Sequence, residues 1–270
     1  MILPRKMDYH LHTHHSFDAK QTMDSLCRRA IELGVEEIAI TEHIEPGHPD
    51  KSCDIPPQYD KWWQDVRTCR KKYPQLVIKA GIEIGDNPPY RQWIYDLLDG
   101  LDLDFHLLSM HLVDGSDPYL PGFFDHRDQA TAYRQYVESK VESILNFKDY
   151  DAMAHLGYVA KFAPYPKETR PLTYRYAPDA FDTLFKHLAQ EGKAMELNAS
   201  GYLGMDLPIP APDLVKRYIE LGGEFFTFGS DAHFEERVYL HVERAKDMVR
   251  ALGGRWQCGF TQRKMEVWKI

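Results

Sequence analysis

Short apolar runs recur seven times along the chain, and each one ends in residues that can bind a metal ion. The runs end at His10-Leu11-His12, Thr41-Glu42-His43, Gly81-Ile82-Glu83, Ser109-Met110-His111, Ala154-His155, Met195-Glu196-Leu197-Asn198 and Gly229-Ser230-Asp231-Ala232-His233. Their length and composition are typical of buried β-strands. Residues so far apart in sequence can meet at one place only if the strands are parallel and end at a common edge.

Amphipathic segments separate these runs. The clearest one covers residues 127–147, where Tyr133, Val137, Val141, Ile144 and Leu145 follow a helical spacing. Helices are predicted for residues 22–33, 58–73, 90–98, 127–147, 178–190, 212–221 and 236–252, and most are followed by a glycine stop signal. After the first strand, strands are predicted for residues 37–41, 76–84, 104–110, 151–154, 193–197 and 224–228.

This alternation of strands and helices predicts an α/β fold with parallel strands and right-handed crossovers. A closed or nearly closed barrel is favoured over an open doubly wound sheet, because candidate ligands follow all seven strands rather than one switch point. The 270 residues suit one barrel, so we expect a single domain over residues 1–270. Proline-rich segments at 46–57, 164–178 and 207–212 are expected to form loops over the mouth.

Composition narrows the class of partner. The net charge of −8 argues against a general nucleic-acid or membrane-surface binder, but bound divalent ions would still allow an anionic small substrate. Residues 1–6 lead into the first strand without a signal-peptide core, and no run approaches a membrane span, so we expect a cytoplasmic protein. The four cysteines lack a C-x-x-C spacing and are expected to be free.

Carboxylates and paired histidines give the strongest chemical signal. His10 and His12 are two residues apart on a strand, so both can bind one ion from the same face. Glu83 ends an otherwise apolar strand, where an unpaired charge would be costly, and a bridging position between two ions would suit it. Asp18 is placed to turn back over the mouth, although a surface position is the ordinary expectation for an aspartate.

The remaining candidate ligands complete a large donor set. His43, His111 and His155 each close a strand, and Asp231 and His233 follow a Gly-Ser turn. Six imidazoles and three carboxylates without a thiolate suit Zn, Mn or Fe(II), and nine donors are enough for three ions with open positions. Three divalent ions against three carboxylates leave positive charge for a hydroxide and a phosphate dianion.

The other histidines are assigned weaker roles. His14 and His15 either orient the ligands or phosphate, or are incidental neighbours of the motif. His187 and His241 lie on predicted helices and are expected to be solvated or packed.

These residues resemble the polymerase and histidinol phosphatase (PHP) superfamily, and most closely its free-standing histidinol-phosphate phosphatases. The resemblance covers nearly the whole chain. It rests on His10-Leu11-His12-Thr13, Thr41-Glu42-His43, Gly81-Ile82-Glu83, Ser109-Met110-His111, Glu196-Leu197-Asn198-Ala199-Ser200-Gly201 and Gly229-Ser230-Asp231-Ala232-His233. It implies a distorted seven-stranded TIM-like (β/α) barrel with three divalent transition-metal ions.

The resemblance also implies an arrangement of the metal ligands. His10, His12, Glu83 and Asp231 would hold one ion, Glu83, His111 and His155 the second, and Asp18, His43 and His233 the third. Asp18 stands where many relatives have histidine, and it remains a competent ligand.

Two departures from the family concern the phosphate. Members of this branch usually continue the Asn-x-Ser-Gly stretch into an arginine that helps to hold phosphate, whereas Tyr202 follows Gly201 here. A basic pair usually follows His155, and this chain offers Lys161, which is our candidate phosphate contact beside the alternative of a surface lysine. Ser200 and His14 are further candidate substrate contacts. If Lys161 does not contact the phosphate, the alternative candidates for that contact are the loop residues Arg127, Arg170 and Arg175.

The resemblance predicts a metal-dependent phosphomonoesterase of histidine biosynthesis that hydrolyses L-histidinol phosphate. A metal-bridging hydroxide would attack phosphorus, and Asp231 would carry the proton to the leaving alkoxide. One alternative is a PHP phosphoesterase acting on nucleotides or nucleic-acid ends, which the acidic charge disfavours. The other is a non-catalytic PHP module, which the filled ligand positions disfavour.

Overall fold

The computed structural model describes residues 4–270. Its strands are β1 (Met7–Leu11), β2 (Glu37–Ile44), β3 (Val77–Gly85), β4 (Phe105–Ser109), β5 (Ala152–Met153), β6 (Ala194–Asn198), β7 (Phe225–Gly229), β8 (Trp256–Thr261) and β9 (Lys264–Lys269). Its α-helices are α1 (Met23–Glu32), α2 (Tyr59–Lys72), α3 (Arg91–Asp99), α4 (Gln129–Asn146), α5 (Tyr158–Phe162), α6 (Pro178–Gln190), α7 (Pro212–Glu220) and α8 (Val242–Ala251). Short 3-10 turns connect several of them.

The strands form one sheet in the order of the chain, β1 to β9. Neighbouring strands from β1 to β8 are parallel, and only β8 and β9 pair in antiparallel register. Backbone hydrogen bonds also link the carboxyl end of β1 to the segment after β7, with His12 N donating to Ala232 O (3.1 Å) and Asp231 N to His10 O (2.9 Å). The first and seventh strands therefore deliver their terminal residues to the same place.

The predicted α/β fold with parallel strands is confirmed, but the prediction missed the carboxyl-terminal hairpin of β8 and β9. Its turn residues Gln262 and Arg263 have φ values of 46° and 65°, and neither is one of the glycine or asparagine residues that usually mark such a turn. Tertiary contacts hold the turn instead. Gln262 N donates to Asp104 Oδ1 (3.0 Å), and the Arg263 guanidinium forms an ion pair with Asp151.

The start of the last helix and one short helix in a loop also differ from the prediction. The last helix begins at Val242 rather than at residue 236, because Tyr239 and His241 adopt left-handed φ values of 61° and 62° that interrupt a helix. The short helix α5 was not predicted. The expectation for the amino terminus falls partly on residues 1–3, outside the described residues.

The apolar core has two layers. The larger one packs the helices against the outside of the sheet, and the smaller one lies among the strands and includes Tyr9, Phe105 and Phe260. The rings of Phe105 and Phe260 stack at 5.0 Å, and Phe260 N donates to the Tyr9 hydroxyl (2.8 Å). The hairpin therefore contributes Phe260 to the smaller core layer. In residues 4–270, no helix has the length and apolar character needed to cross a lipid bilayer.

One lysine is buried within this packing, and its removal is expected to stabilise the fold. Lys140 on α4 is fully buried, and its ammonium has no hydrogen-bond partner within the described part of the chain. Burial lowers its pKa from 10.5 to about 8, against the opposing effect of Glu83 and other carboxylates. Between these two pH values the unfolded chain binds a proton that the folded chain has released, so stability rises with pH across that window.

We therefore expect Lys140→Met to increase the free energy of unfolding by about 1–3 kcal/mol at pH 7, with a smaller gain near pH 10. Urea unfolding of both proteins at the two pH values measures this difference. Lys216→Met, at an exposed position on α7, is the control and should change little. A less stable Lys140→Met protein at pH 7 would mean that the buried ammonium is stabilised by groups such as bound water.

Candidate metal centre

The carboxyl ends of the strands bring all nine predicted metal ligands into one cluster. Three of them belong to strands, namely His10 of β1, His43 of β2 and Glu83 of β3. The others lie in the segments that follow strand ends: His12, Asp18, His111, His155, Asp231 and His233. Each has a nitrogen or oxygen within 3.6 Å of a donor atom of another member. Parallel strands thus place side chains from the whole length of the chain at one edge.

Glu83 lies at the centre of this cluster and is fully buried. Its two carboxylate oxygens are surrounded by five imidazole nitrogens. Oε2 lies 3.0 Å from His10 Nε2, 3.4 Å from His12 Nε2 and 3.1 Å from His43 Nδ1, and Oε1 lies 2.7 Å from His155 Nε2 and 3.5 Å from His111 Nε2. The two oxygens therefore face two different sets of donors, as a bridging ligand requires.

The two carboxylate oxygens of Asp231 also have different neighbours. Its Oδ1 lies 3.6 Å from both His10 Nε2 and His12 Nε2. Its Oδ2 accepts hydrogen bonds from Lys161 Nζ (3.0 Å) and Ser200 Oγ (3.1 Å). Burial alone would raise the pKa of Asp231, but the charges of Lys161 and His10 outweigh it and lower that pKa well below the ordinary value.

A third group lies nearer the surface. Asp18 Oδ2 is 2.9 Å from His233 Nε2 and 3.6 Å from His43 Nε2. Burial raises the pKa of Asp18, but the imidazole of His43 lowers it more strongly, so the pKa lies well below the ordinary value. The loop after β1 thus turns back over the strand ends, as predicted for Asp18.

Further carboxylates contact Nδ1 of two of the imidazoles and so orient the rings. Glu196 on β6 contacts His10 Nδ1 through Oε1 (2.5 Å) and accepts a hydrogen bond from the His155 backbone N–H through Oε2 (2.6 Å). Glu45 contacts His111 Nδ1 (2.7 Å). A carboxylate bonded to Nδ1 fixes the ring and leaves Nε2 for a metal.

Sequence reasoning had not assigned these supporting roles. Glu196 lies on β6 two residues before Asn198, and Glu45 directly follows β2, two residues after His43, so this two-residue spacing was the available signal.

Two of the donors, His12 and Glu83, are in the protonation states that bind a metal ion. Burial and the neighbouring His43 and His233 lower the pKa of His12 to about 3, and His12 Nε2 is buried without a hydrogen bond within residues 4–270. Burial raises the pKa of Glu83, but His10 and His43 lower it to well below the ordinary value. A neutral imidazole and an ionised carboxylate are the forms that bind metal.

The spacing of the donor atoms agrees with this chemistry. Donors about 2.1 Å from a tetrahedral ion lie roughly 3.4 Å from one another. The contacts of His12 Nε2 with Glu83 Oε2 (3.4 Å) and Asp231 Oδ1 (3.6 Å) are close to that value. The His and Glu side chains here therefore form groups that can hold a metal ion.

A cavity of about 380 Å³ opens over the cluster. Among the described residues that line it, Lys161 is the single lysine or arginine. Ser200 donates a hydrogen bond to Asp231 Oδ2 and is not among the described lining residues. His14 lies away from the cavity, where it is partly exposed and its Nε2 is 3.9 Å from Asp65 Oδ2. Arg127, Arg170 and Arg175 bind backbone or neighbouring side chains in the loops and are not among the described lining residues.

Comparison with known proteins gives matches over nearly the full length. A histidinol-phosphatase from Lactococcus lactis subsp. lactis is 27% identical over 258 residues, which cover 92% of each chain. A Clostridium acetobutylicum protein named "Probable histidinol-phosphatase" is 27% identical over 245 residues, covering 90% of this chain and 92% of the relative.

A crystal structure extends the likeness to three dimensions. Histidinol phosphate phosphatase from Lactococcus lactis subsp. lactis, complexed with zinc, L-histidinol and phosphate, has a TM-score of 0.90 and 26% identity, with 97% of this chain and 99% of that chain covered. This likeness confirms the predicted PHP-type, TIM-like fold. The PHP domain family itself matches residues 8–200, which is well over half of the chain, and the chain therefore belongs to the PHP family.

Proposed function

We propose that this protein is a metal-dependent phosphomonoesterase that hydrolyses L-histidinol phosphate to L-histidinol and phosphate. The observation that carries the proposal is the cluster of nine donor residues, with Glu83 at its centre, beneath a cavity whose described lining includes one lysine. The substrate is supported by the similarity, over nearly the whole chain, to the Lactococcus lactis enzyme whose structure holds zinc, L-histidinol and phosphate.

We assign the nine residues to three ions. The first would be held by His10, His12, Glu83 and Asp231, the second by Glu83, His111 and His155, and the third by Asp18, His43 and His233. The observed contacts within each group are 3.6 Å or shorter. When bound, such ions would polarise the phosphate and make a water molecule more acidic. Zn, Mn and Fe(II) all suit these donors.

Asp231 is the proposed proton carrier. Its carboxylate is ionised because Lys161 and His10 lower its pKa, so it can accept a proton from the attacking water before it can donate one. Oδ2 points towards Lys161 and Ser200 rather than towards the imidazoles, at the side of the cluster where Lys161 lines the cavity. The carboxylate can then return the proton to the leaving alkoxide.

Lys161 is the proposed phosphate contact. It lines the cavity, and its Nζ lies 3.0 Å from Asp231 Oδ2. It takes the place of the arginine that this chain lacks after Gly201.

The four cysteines are free and buried, as suits the reducing cytoplasm in which we place the protein.

A panel of phosphate esters tests the function. Metal-analysed protein should hydrolyse L-histidinol phosphate with a kcat/KM of at least roughly 10⁴ M⁻¹s⁻¹, at the low end for enzymes, and prefer it to p-nitrophenyl phosphate and to nucleotides. Preference for a nucleotide or a phosphodiester would move the assignment to a PHP phosphoesterase of another substrate. Absence of hydrolysis across the panel by fully metal-loaded protein would contradict an enzymatic role.

Substitution of Lys161 tests the phosphate contact. A charge-assisted hydrogen bond to phosphate contributes about 1.5–3 kcal/mol, so Lys161→Ala should lower kcat/KM by roughly 10- to 150-fold. Steady-state kinetics on L-histidinol phosphate measures this. Lys167→Ala, in the exposed loop that follows α5, is the matched control and should remain near the wild-type value. An unchanged kcat/KM for Lys161→Ala would assign the phosphate contact to another cation.

A further inference from the structure

Two histidines close to the first metal ligands take no part in the metal cluster. His14 and His15 follow His12 in the sequence, but they contact Asp65 on α2 and are not among the described residues that line the cavity. The metal assignment and the proposed mechanism use neither histidine. His14, His15 and Asp65, here called the peripheral triad, form a separate group of metal-binding side chains.

The donor atoms of the peripheral triad lie close to one another. One ligand atom from each residue is within 4.8 Å of the other two. His15 Nε2 is 2.9 Å and His14 Nε2 is 3.9 Å from Asp65 Oδ2. These two distances lie on either side of the roughly 3.4 Å that separates donors around a tetrahedral ion. Small movements of the side chains would therefore let one ion bind all three residues.

Both parts of the triad are attached to well-anchored backbone. Asp65 lies on α2, whose apolar face is buried in the core. The loop that carries the two histidines is anchored at Thr13, whose N–H and hydroxyl groups donate hydrogen bonds to the buried carboxylate of Glu42 (3.1 and 2.5 Å). His14 N also donates to Gln21 O (2.8 Å). A site built on fixed backbone needs little reorganisation to bind a ligand.

The donor set of the triad favours a transition-metal ion. Two imidazoles and one carboxylate suit Zn, whereas Mg and Ca prefer oxygen ligands. Burial lowers the pKa of His15 from its ordinary value of 6.5, against the opposing hydrogen bond with Asp65, so this imidazole is neutral at pH 7. The neutral imidazole is the form that binds metal.

Solvent reaches the triad more readily than it reaches the metal cluster. The side chains of His14 and Asp65 are 44% and 41% exposed, whereas Glu83 at the centre of the cluster is fully buried. Water can therefore occupy the coordination positions that the three residues leave open, and an ion can enter and leave without a change of fold. We expect the triad to bind an ion more weakly than the cluster does.

We propose that His14, His15 and Asp65 form an exchangeable Zn site that is separate from the catalytic metal cluster. An ion bound there would connect the loop between β1 and α1, which also carries Asp18, to α2. The site is made of residues outside the described cavity lining, so its presence does not depend on the proposed phosphatase activity.

Zinc counts at equilibrium test the site. Protein with a fully loaded metal cluster is dialysed against buffers of increasing free Zn concentration, with Mg in excess, and its metal content is measured. The wild type should take up one more ion per chain than Asp65→Ala or His15→Ala, because each variant lacks one of three protein ligands. The wild type should lose this ion again in buffer without free Zn.

Matched substitutions control for general effects of the changes. Asp60→Ala, at an exposed position on α2, and His126→Ala, at an exposed position in the loop before α4, should take up as much Zn as the wild type. The two triad variants lie on different elements, so one of them provides the test even where the other fails to fold.

Thermal unfolding gives a second readout. A ligand that binds only the folded chain stabilises it, so added Zn should raise the Tm of the wild type and of Asp60→Ala more than that of Asp65→Ala. The cluster ions are present in all three proteins, and the difference between the shifts therefore reports the triad.

Three outcomes would overturn the proposal. The first is an equal zinc count in the wild type and both triad variants, and the second is an additional ion that excess Mg displaces. The third is a loss of cluster ions from Asp65→Ala in buffer without free Zn, because the triad would then support the cluster instead of forming its own site. An additional ion that is lost in the triad variants and kept in both controls would support it.

Discussion

Removal of bound metal from the purified protein is expected to abolish hydrolysis of L-histidinol phosphate. Glu83 and eight other candidate ligands form one cluster, and Lys161 is the one lysine among the described cavity-lining residues that could balance a phosphate dianion without metal. Divalent ions bound to neutral imidazoles and ionised carboxylates would supply the missing positive charge.

Elemental analysis before and after dialysis against a chelator measures this expectation. Carefully prepared protein should contain two or three transition-metal ions per chain. Zn, Mn or Fe(II) should restore activity once the chelator is removed, and Mg should restore less because it prefers oxygen donors. A control with chelator already saturated by Ca should leave the activity intact. Full activity in protein without detectable metal would contradict the metal centre.

Much of the candidate site could be predicted because every candidate ligand except Asp18 lies at or just after the end of an apolar strand. Glu83 shows why this signal is strong. A carboxylate at the end of a run that is apolar except for Lys79 is expected to be buried, and a buried carboxylate needs partners, so its position already indicates a site. The structure then supplies five imidazole nitrogens around it. Parallel strand topology converts that one-dimensional pattern into a common location.

Roles that depend on tertiary contacts could not be predicted in the same way. Glu45 and Glu196 are recognisable as strand-end carboxylates, but only the fold shows that they contact the Nδ1 atoms of His111 and His10. The cavity-lining residues Asp50 and Asp117 come from the loops after β2 and β4, and loops carry no periodicity.

The hairpin of β8 and β9 escaped prediction for a related reason. Its turn is stabilised by contacts to Asp104 and Asp151, which lie more than a hundred residues away in the sequence. Residues that favour a turn locally are not what stabilises it.

Replacement of the central carboxylate is the other change with a large expected effect. We expect Glu83→Gln to lower kcat by about 10²–10³-fold, the usual effect of removing one preorganised electrostatic group from an active site. The amide keeps the size of the side chain, so the fold should persist. Its NH₂ group cannot bind a metal, and one side of the bridge is lost. The variant should therefore also retain fewer ions per chain after the same purification.

Three measurements together identify the cause of the loss. Circular dichroism should show unchanged secondary structure, elemental analysis should show reduced metal content, and added metal should restore only part of the turnover. Glu138→Gln, at an exposed position on α4, is the control for the same chemical change and should match the wild type in all three. A Glu83→Gln protein with normal metal content and normal turnover would make Glu83 a buried structural acid, and the two ions assigned to its two oxygens would then lack their shared ligand.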